Sequence, residues 1–307
     1  MKAAYFARQG GPEVMQYGDL PDPVANAGEL LVDVHAASVN GADWKVRSGQ
    51  YAPIATLPHI PGRDFSGVVR ATGEGVRDWK PGDAVFGVCD VGREGAYAEE
   101  LAIHASIVAR KPADLSHVEC AAVALSGLTA LVSLEDTLRR EARETILVQG
   151  GAGGVASFAI QLAKHIGARV ITTASAANHD YVRRLGADQV IDYRTQDLTQ
   201  VVSGCDAVFD TVGGDVAKRS FEVLRPGGRA AFIASGNAAP RSPRADVTSL
   251  RPDVRRDRAH LERIVELIAN GAVCLPEITI YGLEQAAEAH RVSEGRHLRG
   301  KLVFKVR

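Results

Sequence analysis

The chain is short of almost every feature that marks a metal site, a membrane anchor or a polyanion binder. Its four cysteines, Cys89, Cys120, Cys205 and Cys274, are scattered with no CxxC pair. Neither a disulfide framework nor a zinc ribbon is expected from that spacing, and a reducing cytoplasm fits. Charge of neither sign dominates: 36 Lys+Arg stand against 37 Asp+Glu, for a formal net charge of −1. That balance argues against broad electrostatic attraction to nucleic acid or an anionic membrane. No run of about 18 apolar residues is evident, so no membrane span is expected. The opening MKAAYFARQGG has no apolar stretch of the secretory kind. No internal repeat with a period of roughly 20–50 residues and no low-complexity tract stands out. What remains is an ordinary globular composition, 46% hydrophobic and 24% charged, in 307 residues. At roughly 100–200 residues per domain, that length suits two domains.

Up to Arg110 the chain alternates short apolar runs with glycine and proline. Ala3–Phe6, Glu29–Ala36, Gly67–Thr72 and Ala84–Val88 read as strands. Gly10-Gly11-Pro12, Pro21-Asp22-Pro23, Pro61-Gly62 and Pro81-Gly82-Asp83 punctuate them. Such a pattern predicts an antiparallel barrel or sandwich. Ser116-His117-Val118-Glu119 then has the form of a capping box. It opens an Ala/Leu-rich helical stretch, expected to break at Ser126-Gly127. From Thr145 strands and helices alternate. Strands are expected at Thr145–Gln149, Arg169–Thr173, Gln189–Ile191, Ala207–Asp210 and Arg229–Ile233. Helices are expected at Val155–Ile166, Asp180–Leu185 and Val216–Leu224, with a turn at Pro226-Gly227-Gly228. Repeated βα units of this kind predict a parallel sheet covered on both faces. A helix returns at Arg258–Ala269, and Lys301–Val306 is again strand-like.

The strongest local motif is Gln149-Gly150-Gly151-Ala152-Gly153-Gly154-Val155-Ala156. Within it Gly151-x-Gly153-x-x-Ala156 satisfies G-x-G-x-x-[GA], between a predicted strand and a predicted helix. Glycines let the backbone turn tightly and approach a pyrophosphate, and the helix N-terminus offers free amides. The bland reading is a glycine-rich turn that binds nothing; the three βα repeats that follow favour a dinucleotide. An NAD site carries Asp or Glu at the end of the second strand, about 20 residues on. Here that strand runs into Thr173-Ala174-Ser175, and no carboxylate appears until Asp180. A small hydroxyl leaves room for a 2′-phosphate, with Ser175 as first donor and Arg183, Arg184 and Arg194 as basic candidates. NADPH is the expected cofactor.

Nine stretches, in order, resemble the zinc-independent quinone oxidoreductase (zeta-crystallin-like) branch of the medium-chain dehydrogenase/reductase superfamily. They are Ser38-Val39-Asn40-Gly41-Ala42-Asp43-Trp44-Lys45, Pro61-Gly62-Arg63-Asp64-Phe65-Ser66-Gly67-Val68-Val69, Gly82-Asp83-Ala84-Val85, Gly95-Ala96-Tyr97-Ala98-Glu99, Ser126-Gly127-Leu128-Thr129-Ala130, the glycine loop, Leu185-Gly186-Ala187-Asp188, Asp210-Thr211-Val212-Gly213-Gly214 and Gly300-Lys301-Leu302-Val303. The resemblance implies an α/β protein: a GroES-like β-barrel domain over 1–121 and 272–307, a Rossmann doubly wound parallel sheet over 122–271, and an active-site cleft between them. It also implies a homodimer paired through the last Rossmann strands, where Ala245–Leu250 is a candidate edge strand.

The same resemblance places Asn40 beside nicotinamide and substrate, and Lys45 near the cofactor, where it can donate to a developing enolate oxygen. Tyr51, close by in the chain, can supply a phenol. Thr129 falls near the nicotinamide ribose or phosphates. Gly151, Gly153, Gly154 and Val155 cradle pyrophosphate, Ser175 and Tyr193 surround the 2′-phosphate, Val212, Ile233 and Ala234 end strands at the ligand crevice, and Lys301 lies near the cofactor. Two departures bear on the reading. Many relatives carry Tyr where Lys45 stands, and Asn178 stands where they often have Lys.

Zinc-binding relatives place a cysteine where this chain has Asn40 and Gly-His-Glu where it has Gly62-Arg63-Asp64. Arginine cannot ligate zinc, and Asn is a poor ligand; His59, Asp64 and Cys89 can be imagined as a set, but residues dispersed in this way are more often structural. No metal is expected. Without a Lewis acid, simple ketones are poor acceptors, whereas quinones and enones need less help. The expected activity is NADPH-dependent hydride transfer to a quinone or an α,β-unsaturated carbonyl. The alternatives are a pathway-specific ene-reductase of biosynthesis and a non-enzymatic, crystallin-like NADPH-binding protein. The expected partner is a small molecule, with no membrane and no nucleic acid.

Overall fold

In a computed structural model that describes every residue except 52, 53, 55, 140 and 237, the chain divides into two units. The first comprises Met1–Leu125, Arg256–Val265 and Glu277–Arg307; the second comprises Ser126–Arg255 and Glu266–Pro276.

The spine of the first unit is the ten-residue strand Glu29–Ser38. Along one edge it pairs antiparallel with Asp64–Thr72. Along the other it pairs with Glu100–His104 through its first half and with Lys301–Lys305 through its last residues. The C-terminal strand thus returns to the first unit. Two register shifts interrupt the Asp64–Thr72 pairing, between Leu31 and Val32 and between Val34 and Ala36; irregularities of this kind bend and twist a strand. Leu30, Val32, Val34, Phe65, Val85, Tyr97 and Phe304 meet in the core.

The second unit is a six-stranded sheet in the order Gln189–Asp192, Arg169–Ala174, Thr145–Gln149, Cys205–Asp210, Leu224–Phe232, Thr248–Leu250. Every pairing is parallel. Numbered along the chain this is 3-2-1-4-5-6, the dinucleotide-binding order, with its switch point at Thr145–Gln149. Near-continuous burial of that strand is what a sheet covered on both faces requires.

Several expectations change. Ser126-Gly127 does not break the first long helix, which runs unbroken over His117–Leu131 and continues as a π-helix to Thr137. Residues 120–134 are buried, and that burial outweighs the roughly 1 kcal/mol a helical glycine costs. Together the two pieces are long and apolar enough to span a bilayer, although no such run was expected, and most of the segment is buried inside the protein. The domain boundary falls at Leu125/Ser126 rather than 121/122. Ala121 and Ala122 pack on Ala36 and Val303 of the first unit, and the Leu125 amide donates to Asp64. The later boundary also moves: Arg256–Val265 belongs to the first unit, and the second ends at Pro276.

The helix expected over Val216–Leu224 stops at Ser220, because Phe221, Val223 and Leu224 turn into the core of the sheet. The next strand starts at Leu224, before the Pro-Gly-Gly turn. The turn survives as an irregularity inside the strand: register jumps from Cys205↔Leu224 to Ala207↔Arg229, with Gly227 at φ +76°. The expected strand Ala245–Leu250 shortens to Thr248–Leu250, which is the sheet edge.

Candidate functional site

In the second unit, parallel pairing aligns the strand ends. Asp210 is paired with Gln149 and with Phe232, and Asp192 with Ala174. The residues that follow, Gly150, Ser175, Tyr193, Val212 and Ile233, therefore leave the sheet at one end. This end is the ligand end of an open α/β sheet.

The glycine loop is pinned there. Gly151 N–H donates to the Thr173 carbonyl at 2.9 Å, Gly150 N–H to Thr173 Oγ1 at 3.0 Å, and Gly153 N–H to the Gly150 carbonyl at 3.0 Å. A side chain on Gly150 would meet Val212 and Thr211, and one on Gly213 would meet the Ala234 carbonyl. Val212 and Ala234 thus join the glycine loop in one rim. Gly153 is the N-cap of helix Gly154–Ile166, with no side-chain cap and no acidic residue in the first turn. The amides of that turn have no intrahelical acceptor, and the positive end of the helix carries no carboxylate to neutralise it. Such a terminus suits a diphosphate.

Asp210 shapes the neighbouring loop. One carboxylate oxygen accepts from Val212 N–H at 2.6 Å and Gly213 N–H at 2.8 Å. The other is buried with no hydrogen-bond partner among the described residues. Burial pushes this carboxyl up, against the pull of the two amides.

Ser175 follows the second strand directly and accepts from Asn178 Nδ2 at 3.2 Å. Tyr193 is half exposed, with the Arg194 guanidinium 5.8 Å from its ring centroid. No carboxylate stands at the end of the second strand. Thr129 is buried in the long helix, where its carbonyl accepts from Ser133.

In the first unit a second cluster gathers residues far apart in sequence. Asn40 is the N-cap of helix Gly41–Arg47 in a capping box: its backbone N–H donates to Asp43 Oδ2 at 2.8 Å. Its Nδ2 donates to Asp64 Oδ2 at 2.9 Å, and its Oδ1 accepts from Lys301 Nζ at 2.8 Å. Lys301 also donates to the Val39 carbonyl at 3.0 Å and lies 3.5 Å from Asp64. Ser38 Oγ donates to Asp64, and Asp64 Oδ1 accepts from Leu125 N–H at 2.9 Å. Beneath it, Tyr97 OH donates to Asp43 Oδ2 at 2.8 Å. Asp43 is fully buried, and burial pushes its carboxyl up to about 6 despite the Arg63 charge and the two hydrogen bonds. Arg63 and Glu94 form a buried ion pair at 3.0 Å; burial works against the Arg63 charge, and Asp43 and Glu94 hold it.

Of the three side chains expected at the chemistry, only Asn40 belongs to this hub. Lys45 sits on the last turn of the helix with Nζ 5.6 Å from the Trp44 ring centroid. Tyr51 packs against Phe6, Val14 and Val46, with the Arg63 guanidinium 5.4 Å from its ring. The imagined metal set does not assemble. Asp64 is committed to Lys301 and Asn40, the His59 ring packs on Phe6, and burial pushes the Cys89 thiol up, away from the thiolate a metal needs. Among the described residues no group of three His, Cys, Asp or Glu lies close enough to hold a metal ion.

Asp64 was named from the sequence only as a conceivable metal ligand, and Ser38, Tyr97 and Glu94 were not singled out. The first three lie in the family-like stretches. Glu94 carries no local signal, because its role depends on a partner 31 positions away.

Residues 26–113 match the alcohol dehydrogenase GroES-like domain, and residues 185–304 match a family described as zinc-binding dehydrogenase. An NADPH-dependent alkenal/one oxidoreductase of Arabidopsis thaliana is 33% identical over 99% of this chain and 79% of its own. The quinone oxidoreductase of Coxiella burnetii superposes with a TM-score of 0.92 at 33% identity, covering 100% of this chain and 99% of that one. The Escherichia coli quinone oxidoreductase, solved in complex with NADPH, superposes at 0.91 with 30% identity over the whole of both chains. A GroES-like unit joined to a Rossmann unit defines a medium-chain dehydrogenase/reductase, and this chain belongs to the quinone oxidoreductase branch of that superfamily.

Proposed function

We propose that the chain is an NADPH-dependent reductase of quinones or α,β-unsaturated carbonyls that works without zinc. The observation that carries this reading is the occupation of the would-be metal position by fixed cations. Lys301 closes the Asn40–Asp64 pair, and the buried Arg63 replaces a histidine ligand. A divalent ion there would meet two positive charges and no free thiolate or imidazole. The word zinc in the matched family's description belongs to that family; this chain's own donors do not fit the ion.

The residues present fit NADPH. The glycine loop and first-turn amides of helix Gly154–Ile166 would hold the diphosphate, and Ser175 and Tyr193 would face the 2′-phosphate where a carboxylate would have repelled it. When bound, the reduced nicotinamide supplies the hydride. The protein's own work is to hold that ring and the acceptor, exclude water, and offer a donor to the oxygen that gains electron density. Asn40 is that donor. Lys45 and Tyr51 are the remaining candidates for delivering a proton, and their packed positions favour a structural role. The names of the relatives support both acceptor classes, quinone and alkenal/one.

The exposed edge at Thr248–Leu250 fits pairing with a second copy, which sedimentation analysis checks. Three of the four free thiols are buried, and a reducing cytoplasm is the compartment we infer. The reading is tested by cofactor titration: NADPH is expected to bind at least about ten-fold tighter than NADH. Equal or tighter NADH binding defeats the 2′-phosphate argument.

A further inference from the structure

We propose that Asp64 is a positioning residue: with Lys301 it locks the Asn40 carboxamide in one orientation, leaving a single free N–H to meet the carbonyl oxygen of the acceptor. This inference rests on the reductase reading above and deepens it.

A carboxamide offers one acceptor oxygen and two N–H donors, and nothing intrinsic fixes which way it points. Here each end of Asn40 faces a neighbour of one hydrogen-bonding sense. Lysine only donates, and Lys301 Nζ lies 2.8 Å from Oδ1. A carboxylate only accepts, and Asp64 Oδ2 lies 2.9 Å from Nδ2. Rotating the amide by half a turn would set N–H against ammonium and oxygen against carboxylate. Asp64 cannot follow such a flip. It is fully buried, its Oδ1 is held by the Leu125 amide, and the Ser38 hydroxyl donates to its Oδ2. One Nδ2 hydrogen therefore remains, on a half-buried residue at a helix N-cap. It can only donate, so it selects a group that accepts. The carbonyl oxygen of a quinone or enone gains negative charge during reduction, and a donor already in place strengthens as that charge develops.

The competing account makes the cluster a staple between the C-terminal strand and Val39. A staple would lower stability when broken without favouring one kinetic constant over another. Asp64→Asn separates the two. It keeps the shape but puts an N–H against either the Leu125 amide or Asn40 Nδ2, so Asn40 loses its reason to point one way.

The test uses the full chain. NADPH affinity is read by fluorescence, and kcat and KM with 9,10-phenanthrenequinone and a small enone. Asp64→Asn is expected to lower kcat about 100-fold while NADPH affinity changes by less than about three-fold. A kcat within about three-fold of wild type, or an NADPH affinity that falls as far as kcat, overturns the positioning role. Because the variant loses a buried charge and can fail to fold, the wild type is also examined by amide exchange of the ¹⁵N-labelled Asn40 side chain. One Nδ2 hydrogen is expected to be protected and the other to exchange freely; two hydrogens exchanging alike overturn the proposal. Turnover of the wild type reports on the reductase reading. Its absence defeats both claims, whereas activity retained in Asp64→Asn defeats only this one.

Discussion

A methyl group added at Gly151 is expected to weaken NADPH binding by about 100-fold, or about 2.7 kcal/mol, with a far smaller effect on folding. A Cβ there would lie 2.2 Å from Thr172 Oγ1, 3.1 Å from its Cγ2 and 3.2 Å from Ile160 Cδ1. Thr172 cannot give way freely. It is fully buried, and its hydroxyl donates to the Val148 carbonyl at 2.7 Å. The loop must move instead, breaking the Gly151–Thr173 bond and withdrawing the first-turn amides from the diphosphate. Because the two closest atoms belong to one side chain, Gly151→Ala combined with Thr172→Ala should recover most of the lost affinity. Fluorescence titration of NADPH against both variants checks this. A single variant that binds normally would show that the loop does not cradle the cofactor.

The second large effect is acid lability centred on His290. Its ring is fully buried and stands edge-on to Tyr97. Arg47 Nη1 lies 3.5 Å from Nδ1, and since arginine only donates, Nδ1 accepts and the proton of the neutral ring sits on Nε2. Nε2 is buried with no partner among the described residues. Burial first, and the Arg47 charge second, push this histidine down to about 3. The unfolded chain binds its proton near 6.5. The stabilisation is therefore complete above about pH 6.5 and is lost as pH falls from there toward 3; at pH 4.5 the loss is about 3 kcal/mol. Asp43 acts in the opposite sense. Its carboxyl stands at about 6, above the ordinary aspartate value, so stability contributed by its protonated form grows as pH falls through 6. His290→Gln keeps an acceptor for Arg47 and removes the titration. Its unfolding free energy should fall by about 3 kcal/mol less than that of the wild type between pH 6.5 and 4.5, part of the remainder coming from His117, which burial pushes down to about 4; urea melts at a series of pH values check this. An unchanged pH slope would place the acid sensitivity elsewhere.

Periodicity and glycine placement carried most of the second unit. Thr145–Gln149 matches its expected limits, and the glycine loop sits where strand meets helix; the helix Arg258–Ala269, most of which belongs to the first unit, also matches. Failures came where burial or turning is set by distant partners. Gly127 stays helical because the surrounding helix is enclosed, and Phe221 leaves its helix because the sheet core takes it. At the site, Asn40 and Lys301 were named separately on resemblance. That they touch, and that Asp64 holds both, depends on strand Lys301–Lys305 pairing with Glu29–Ser38 across more than half the chain. No local pattern encodes that meeting. Lys45 and Tyr51 were chosen for chemistry and chain proximity, and both proved to be engaged with aromatic or apolar neighbours.

The most direct test of the account is turnover by protein treated with a strong zinc chelator and then freed of it. With NADPH and 9,10-phenanthrenequinone or a small enone, the account predicts steady oxidation of the cofactor at the untreated rate, and little with a simple ketone. Activity abolished by the chelator and restored by zinc, or a preference for simple ketones and alcohols, would contradict it.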